Sequence, residues 1–223
     1  MIPDQRIGKL AAARSIFACG SGLAPALKNY LLPRLLPNNK ISLGEILTFK
    51  DKEFVKLVET GFGLPEIPCL MTKPFKSFQT FQLLRKIGKV YKSNINQKMT
   101  DLVLLSSLES ICTYLNHHSK SRLIFEDEKA HSISIKILST GTQFLTHYEG
   151  GQGWVVKQTE PDFRATANLS FIDEAVTYSA CMGRVDTWKE VTVGHIRLAG
   201  LIPLLDKFGY VSRIAQKEVP RPR

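Results

Sequence analysis

The sequence predicts an α+β fold in two parts: a basic, helical region over residues 1–99 and, over residues 100–223, a domain of five strands flanked by helices. Three observations predict it. Apolar residues recur every three or four positions along residues 73–98, 100–118 and 201–214, the spacing of one helix face. Ile133, Ile135 and Ile137 alternate with Ser134 and Lys136, and Ala165, Ala167, Leu169 and Phe171 alternate with Thr166, Asn168 and Ser170, the period of strands with one buried face. The formal charge of +10 lies in the first part: residues 1–100 hold 16 Lys and Arg against 6 Asp and Glu, whereas the remainder holds 14 of each.

A hydrophobic fraction of 43% with 22% charged residues is that of a globular protein and argues against disorder. The most apolar early stretch, residues 15–27, is interrupted by Gly20, Gly22 and Pro25 and falls short of the roughly 18 residues that a spanning helix needs. Cys19, Cys69, Cys112 and Cys181 form no CxxC pair and have no histidine at zinc-ligand spacing, so four reduced thiols and no metal site are expected. No signal-peptide pattern opens the chain, which sets the expectation of a cytoplasmic protein, peripheral to a membrane if its basic region binds one. Asp4 against Arg6, Lys9, Arg14, Lys28, Arg34 and Lys40 is also the balance of an organellar transit peptide, against which the scarcity of serine counts.

In the basic part, Pro25, Pro33, Pro37, Pro65 and Pro68 divide residues 6–70 into short helical and irregular segments. Ser42 and Glu45 have the spacing of a capping box, which predicts a helix or helix pair from Ser42 with Ile46, Leu47, Phe54, Val55, Leu57 and Val58 on its apolar faces, stopped by Gly61 and Gly63. Further on, Phe75, Phe78, Phe81, Leu84, Ile87 and Tyr91 form a stripe, and between Ile67 and Thr100 there are seven bases and no acid. One reading packs the stripe against the neighbouring domain and leaves the bases in water. The other lays the helix on an anionic membrane, with Phe75 and Phe78 in the acyl boundary and Lys76, Arg85, Lys86, Lys89 and Lys92 near headgroups at about 1 kcal/mol each. Nucleic acid is not the expected partner, because no RNP strand, GxxG loop or paired zinc ligands accompany the bases.

The neutral part opens with a helix capped by Thr100, carrying Leu102, Leu105, Leu108, Cys112 and Leu115 on one face and ended by His117 and His118. Residues 131–138 are the first strand, Thr140, Gly141 and Thr142 turn the chain, and residues 143–148 and 154–157 form a hairpin around the glycines at 150, 151 and 153. Those glycines lack the Lys-Ser/Thr pair and following helix of a phosphate loop. Ser170 and Asp173 predict the cap of a helix reaching Met182, with Ile172, Ala175, Val176 and Ser179 inward and Gly183 at its end. A fifth strand is expected over residues 190–199, with a β-bulge at Gly194 where the apolar phase changes. Leu201, Leu204, Leu205, Phe208 and Val211 line a terminal helix. His147, His195, Ser179 and Cys181 carry reactive groups, but no G-x-S-x-G, H-E-x-x-H or paired-acid motif assembles them, so no catalytic residue, no cofactor and no enzyme activity is expected.

In order along residues 101–216, the segment from Gly150 to Val156, the strand Ala165 to Ser170, Met182 to Asp186, and Val193 to Gly200 together resemble the sterol carrier protein (type two) family. Gly194, Ile196, Leu198 and Gly200 match its G-x-[IL]-x-[IVL]-x-G strand pattern; residues 1–99 depart from it, since the family's domain does not need them. The resemblance implies a five-stranded, mainly antiparallel sheet with helices enclosing an apolar tunnel, and non-catalytic binding and transfer or presentation of a sterol, fatty acyl chain or other apolar lipid. The expected wall is Trp154, Val156, Leu169, Val176, Ile196, Leu198, Leu205 and Phe208, residues that read equally well as a filled core. The alternatives are an accessory factor presenting an isoprenoid intermediate to membrane enzymes and an enzyme acting on a lipid.

Overall fold

The computed structural model describes residues 2–66, 74–91, 96–159 and 163–220. Its first helix, α1 (Asp4–Leu23), starts after Pro3 with an acid in its first turn, and Asp4 accepts a hydrogen bond from Ser119 Oγ at 2.7 Å. A 3-10 turn (Pro25–Leu31) leads into a three-stranded antiparallel sheet, β1 (Pro33–Leu36), β2 (Lys40–Leu43) and β3 (Leu47–Lys50), in the order β1-β2-β3. Then follow α2 (Asp51–Thr60), closed by Gly61 in the left-handed region, and α3 (Pro74–Val90).

The helix expected from Ser42 is therefore replaced by strands. Asn38 and Asn39, both at positive φ, turn β1 into β2, and Ile41, Leu43, Leu47 and Phe49 alternate inward to full burial. Gly44 has φ +62, and a Cβ there would lie 2.5 Å from the Tyr30 carbonyl oxygen, so the chain reverses where the capping box would have begun a helix. The Ser42 hydroxyl accordingly donates to the Gly44 carbonyl and caps nothing.

Two long helices carry the rest. α4 (Gln97–His117) packs along α1 and is capped by Asn96, whose side chain accepts from Met99 N; the expected cap, Thr100, is buried inside the helix. After α5 (Ser119–Ile124), the second sheet comprises β4 (Ser132–Ile137), β5 (Gln143–Glu149), β6 (Gly153–Thr159), β7 (Ala167–Phe171) and β8 (Ile196–Gly200). Its order is β6-β5-β4-β7-β8; three of the four pairings are antiparallel and β4 with β7 is parallel. Five strands and α+β are thus as the sequence predicted, and the mainly antiparallel pairing is as the resemblance implied.

Between β7 and β8 lie α6 (Glu174–Cys181) and α7 (Thr187–Thr192), and α8 (Ile202–Glu218) ends the described chain. Asp173, not Ser170, caps α6 by accepting from Val176 N at 2.8 Å, and its buried face is Thr177 and Tyr178, while Ile172 and Ala175 are exposed. The strand expected from residue 190 with a bulge at Gly194 is instead a helix followed by a shorter strand. Asp186 caps α7 through the N–H groups of Trp188 and Lys189, Gly194 at φ +80 closes it, and β8 begins at Ile196. The phase change in the apolar residues marks that helix-to-strand boundary. Gly200, at φ +82 with a Cβ position 2.3 Å from the Thr166 carbonyl oxygen, lets β8 lie close beside β7.

Two buried clusters share α1 and α4. Ile7 and Ala11 join Leu108, Tyr114 and the residues of the large sheet and α8, whereas Ala12, Ala13 and Ile16 join the small sheet, α2, Ile87 and Val103. Gly8 makes this possible at one end, since a Cβ there would stand 2.5 Å from the Glu218 carbonyl oxygen of α8.

Candidate functional site

The two clusters do not meet everywhere, and a cavity of about 780 Å³ separates them over part of their span, within the roughly 300–1,000 Å³ of small-molecule sites. Its floor is the large sheet. Ile135 on β4 is in register with Leu169 on β7, which pairs with Leu198 on β8, and Phe171 pairs with Ile196, so one continuous apolar ladder faces the space. Leu205 and Phe208 of α8 form one side, and Leu104, Leu108 and Ile111 of α4 another.

The remaining wall comes from residues 1–99. Ala12, Ser15 and Ile16 of α1, Leu57 to Gly61 at the end of α2, and Ile87 and Tyr91 at the end of α3 all border the cavity. The end of α3 is held there by Tyr178 of α6, whose hydroxyl donates to the Tyr91 carbonyl at 2.7 Å. The cavity reaches the surface beside Trp188 of α7, 65% exposed, and the exposed Ile202 at the start of α8. Arg85, Lys89 and Arg213 stand on the same lining with Glu59, Asp186 and Asp206, so the charges around it balance.

Of the wall residues expected from sequence, Leu169, Ile196, Leu198, Leu205 and Phe208 come together on this cavity. Trp154, Val156 and Val176 do not line it. Trp154 is buried, packed edge-on against Phe125 at 5.3 Å, and Asn116 grips its backbone at both N–H and carbonyl. Val156 and Val176 are half-buried and pack against the same cluster.

On α3 the stripe divides: Phe81, Leu84, Ile87 and Tyr91 pack on the core, and Phe75 and Phe78 at its start face solvent. Ser77, Thr80, Leu83, Ile87 and Val90 are the buried residues, whereas Phe75 and Phe78 are 86% and 63% exposed. With 100° per residue, Phe75, Phe78, Arg85, Lys86 and Lys89 fall on one solvent-facing arc, and all five are exposed. Lys76 lies off that arc with its ammonium 5.7 Å from the Tyr30 ring centroid. Lys92 lies outside the described residues.

Where α1 and the end of α3 meet α4, the polar side chains bordering the cavity are hydroxyls. Ser15 donates to the Ser106 carbonyl at 2.7 Å and lies 2.5 Å from Ser110 Oγ, and the Tyr91 hydroxyl lies 2.7 Å from Ser106 Oγ. Burial, with smaller contributions from nearby Cys19, Cys181 and Tyr178, pushes the Tyr91 phenol up, so it stays protonated at neutral pH. Burial also pushes the Cys19 thiol up to about 12, far from a reactive thiolate. His147 pairs with Glu149 at 3.1 Å and the exposed His195 with Glu190 at 2.7 Å, both away from the cavity lining. Among the described residues, no group of three or more His, Cys, Asp and Glu is placed to hold a metal ion, and no helix is long and apolar enough to cross a membrane.

No family model matches this chain, and no curated protein does. Solved structures do. Two of the structures it is similar to are described as sterol carrier proteins and a third as possibly one. The sterol carrier protein domain 2 of Helicoverpa armigera is 13% identical, covers 56% of this chain and 96% of its own, and aligns with a TM-score of 0.42. The Thermus thermophilus protein TT1886, described as possibly a sterol carrier protein, is 14% identical over 59% of this chain and 95% of its own, with a TM-score of 0.36. Sterol carrier protein 2 of Yarrowia lipolytica, in its apo form, is 13% identical over 55% and 91%, with a TM-score of 0.33.

The sequence did not foresee that α1, α2 and α3 contribute to the cavity. The residues responsible are ordinary core types such as Ala12, Ile16, Leu57 and Ile87, and nothing in their spacing separates a residue facing a void from one facing a neighbour.

Proposed function

We propose that this protein binds an apolar lipid non-covalently in the cavity between its two clusters and carries or presents it, chemically unchanged, at an anionic membrane surface. The observation that carries this reading is the cavity itself: large, bordered mainly by apolar side chains with Leu and Ile the commonest, and open to the surface. Emptying water from such a space and filling it with hydrocarbon gains about 25 cal/mol per Å² of apolar surface covered. Purification under native conditions, followed by solvent extraction and mass spectrometry, is expected to release a lipid in near-stoichiometric amount. An extract matching that of an unrelated protein prepared in parallel, together with no uptake of added lipid, removes the proposal.

The membrane part is supported by α3. Its exposed arc carries two phenylalanines and three bases and, along Pro74–Val90, no acid, and two of those bases, Arg85 and Lys89, also border the cavity. The surface offered to headgroups is therefore continuous with the lining of the cavity. Replacing Phe75 and Phe78 by serine touches no buried contact and is expected to cut recovery on phosphatidylserine-containing liposomes several-fold in flotation, with lipid uptake in solution unchanged. Equal recovery of the variant and the parent would show that α3 does not engage the bilayer.

A further inference from the structure

The cavity is not uniformly greasy. Along the seam where α1 and the end of α3 meet α4, Ser15, Tyr91, Ser106, Ser107 and Ser110 all border it. The direction of their hydrogen bonds can be worked out proton by proton. Ser15 Oγ donates its one proton to the Ser106 carbonyl, so in its 2.5 Å contact with Ser110 the proton belongs to Ser110. Ser106 Oγ donates to the Val103 carbonyl at 3.0 Å, so in its 2.7 Å contact with Tyr91 the phenol is the donor. Four hydroxyls thus spend their protons on one another and on the backbone, leaving the lone pairs of Tyr91 and Ser110 as acceptors. The Ser107 hydroxyl alone on this wall has no hydrogen bond among the described residues, and can give a proton.

We infer that this seam is the head-group subsite of the cavity and that it selects a neutral, hydroxyl-bearing lipid over one with an ionised carboxylate. A ligand hydroxyl donates to Tyr91 or Ser110 and accepts from Ser107, pairing every group. At this seam a carboxylate offers only acceptors and would set its charge against lone pairs, with the Ser107 hydroxyl as the one seam donor to meet it, while the three cations elsewhere on the lining are matched by three acids. The protonated state of the buried Tyr91 phenol fixes the pattern at neutral pH. This inference rests on the lipid reading given above, and it assigns a recognition role to residues of the N-terminal part, Ser15 and Tyr91.

The test uses the full chain and two probes of equal length, hexadecan-1-ol and hexadecanoate, each competing at pH 7.4 with a fluorescent fatty probe. The alcohol is expected to bind about tenfold more tightly, and Tyr91→Phe or Ser110→Ala to lower that preference about three- to tenfold, the size of one lost hydrogen bond. A variant that merely loosens the cavity moves both probes together, so the ratio isolates the head group. Leu205→Ala serves as that control, weakening both in proportion. If one variant fails to fold, the other carries the measurement. Equal affinity for both probes, tighter binding of the carboxylate, or a ratio unmoved in a folded Tyr91→Phe variant overturns the subsite while leaving the cavity as a lipid site. Binding of neither probe overturns the lipid reading, and the subsite with it.

Discussion

Leu198→Trp is expected to reduce lipid affinity by at least an order of magnitude while leaving the melting temperature within a few degrees of the parent. Leu198 is half-buried on β8, sits opposite Leu169 on β7, and both border the cavity. Overpacking a filled core costs about 1–3 kcal/mol because neighbours must leave their rotamers. Here the added ring has space to enter, so the folded state is spared and the ligand is displaced. The measurement is a displacement titration paired with a thermal melt. Lost stability with unchanged affinity would mean that Leu198 faces packed neighbours and that the space lies elsewhere.

That contrast marks what the sequence could and could not disclose. The strands of the large sheet were legible because Ile133, Ile135 and Ile137 alternate without interruption and because Gly141 and the glycines at 150, 151 and 153 punctuate them. Five of the eight expected wall residues lie on the cavity, since inward positions on β7, β8 and α8 follow from period and from the position of Pro203 early in the last helix. Trp154 was misplaced for a reason that period cannot supply. It too points inward, but to a place where Phe125 and Tyr148 fill the space around it.

The small sheet was missed because two local signals competed. Ser42 and Glu45 offered a helix cap, while Ile41, Leu43, Leu47 and Phe49 offered alternation broken by Gly44, and the tertiary requirement at Tyr30 decided for the turn. On α3 the stripe packs from Phe81 onward, and only its first two aromatics, Phe75 and Phe78, stay in water. At its N-terminal end the fully buried positions are Ser77 and Thr80, small enough to let the helix sit close, and Leu83, Ile87 and Val90 continue that face. Two phenylalanines left in water by a helix that had an alternative face for them are an exposed apolar surface in want of a use, which is the basis of the membrane reading.

Phe49→Ala is the second large effect, and it bears on whether residues 1–99 and 100–223 behave as separate bodies. Phe49 is fully buried on β3 and packs edge-on against Phe54 of α2 with ring centroids 6.4 Å apart. Truncation to alanine costs about 3–5 kcal/mol in such a setting, which for a chain of this size lowers the melting temperature by about 10 °C. Because α1 and α4 hold buried residues of both clusters, the loss is expected to move one cooperative transition as a whole and not to split off an early melting step. Lipid affinity should fall as well, since Phe49 supports α2, whose last residues, Leu57 to Gly61, are part of the cavity wall. Trp154→Ala provides the comparison: a similar loss of stability from a residue off the cavity lining, with affinity per folded molecule retained. Two resolved transitions in the Phe49→Ala melt, the later one at the parent temperature, would separate the N-terminal region from the lipid site and assign the cavity to the large sheet and α8 alone.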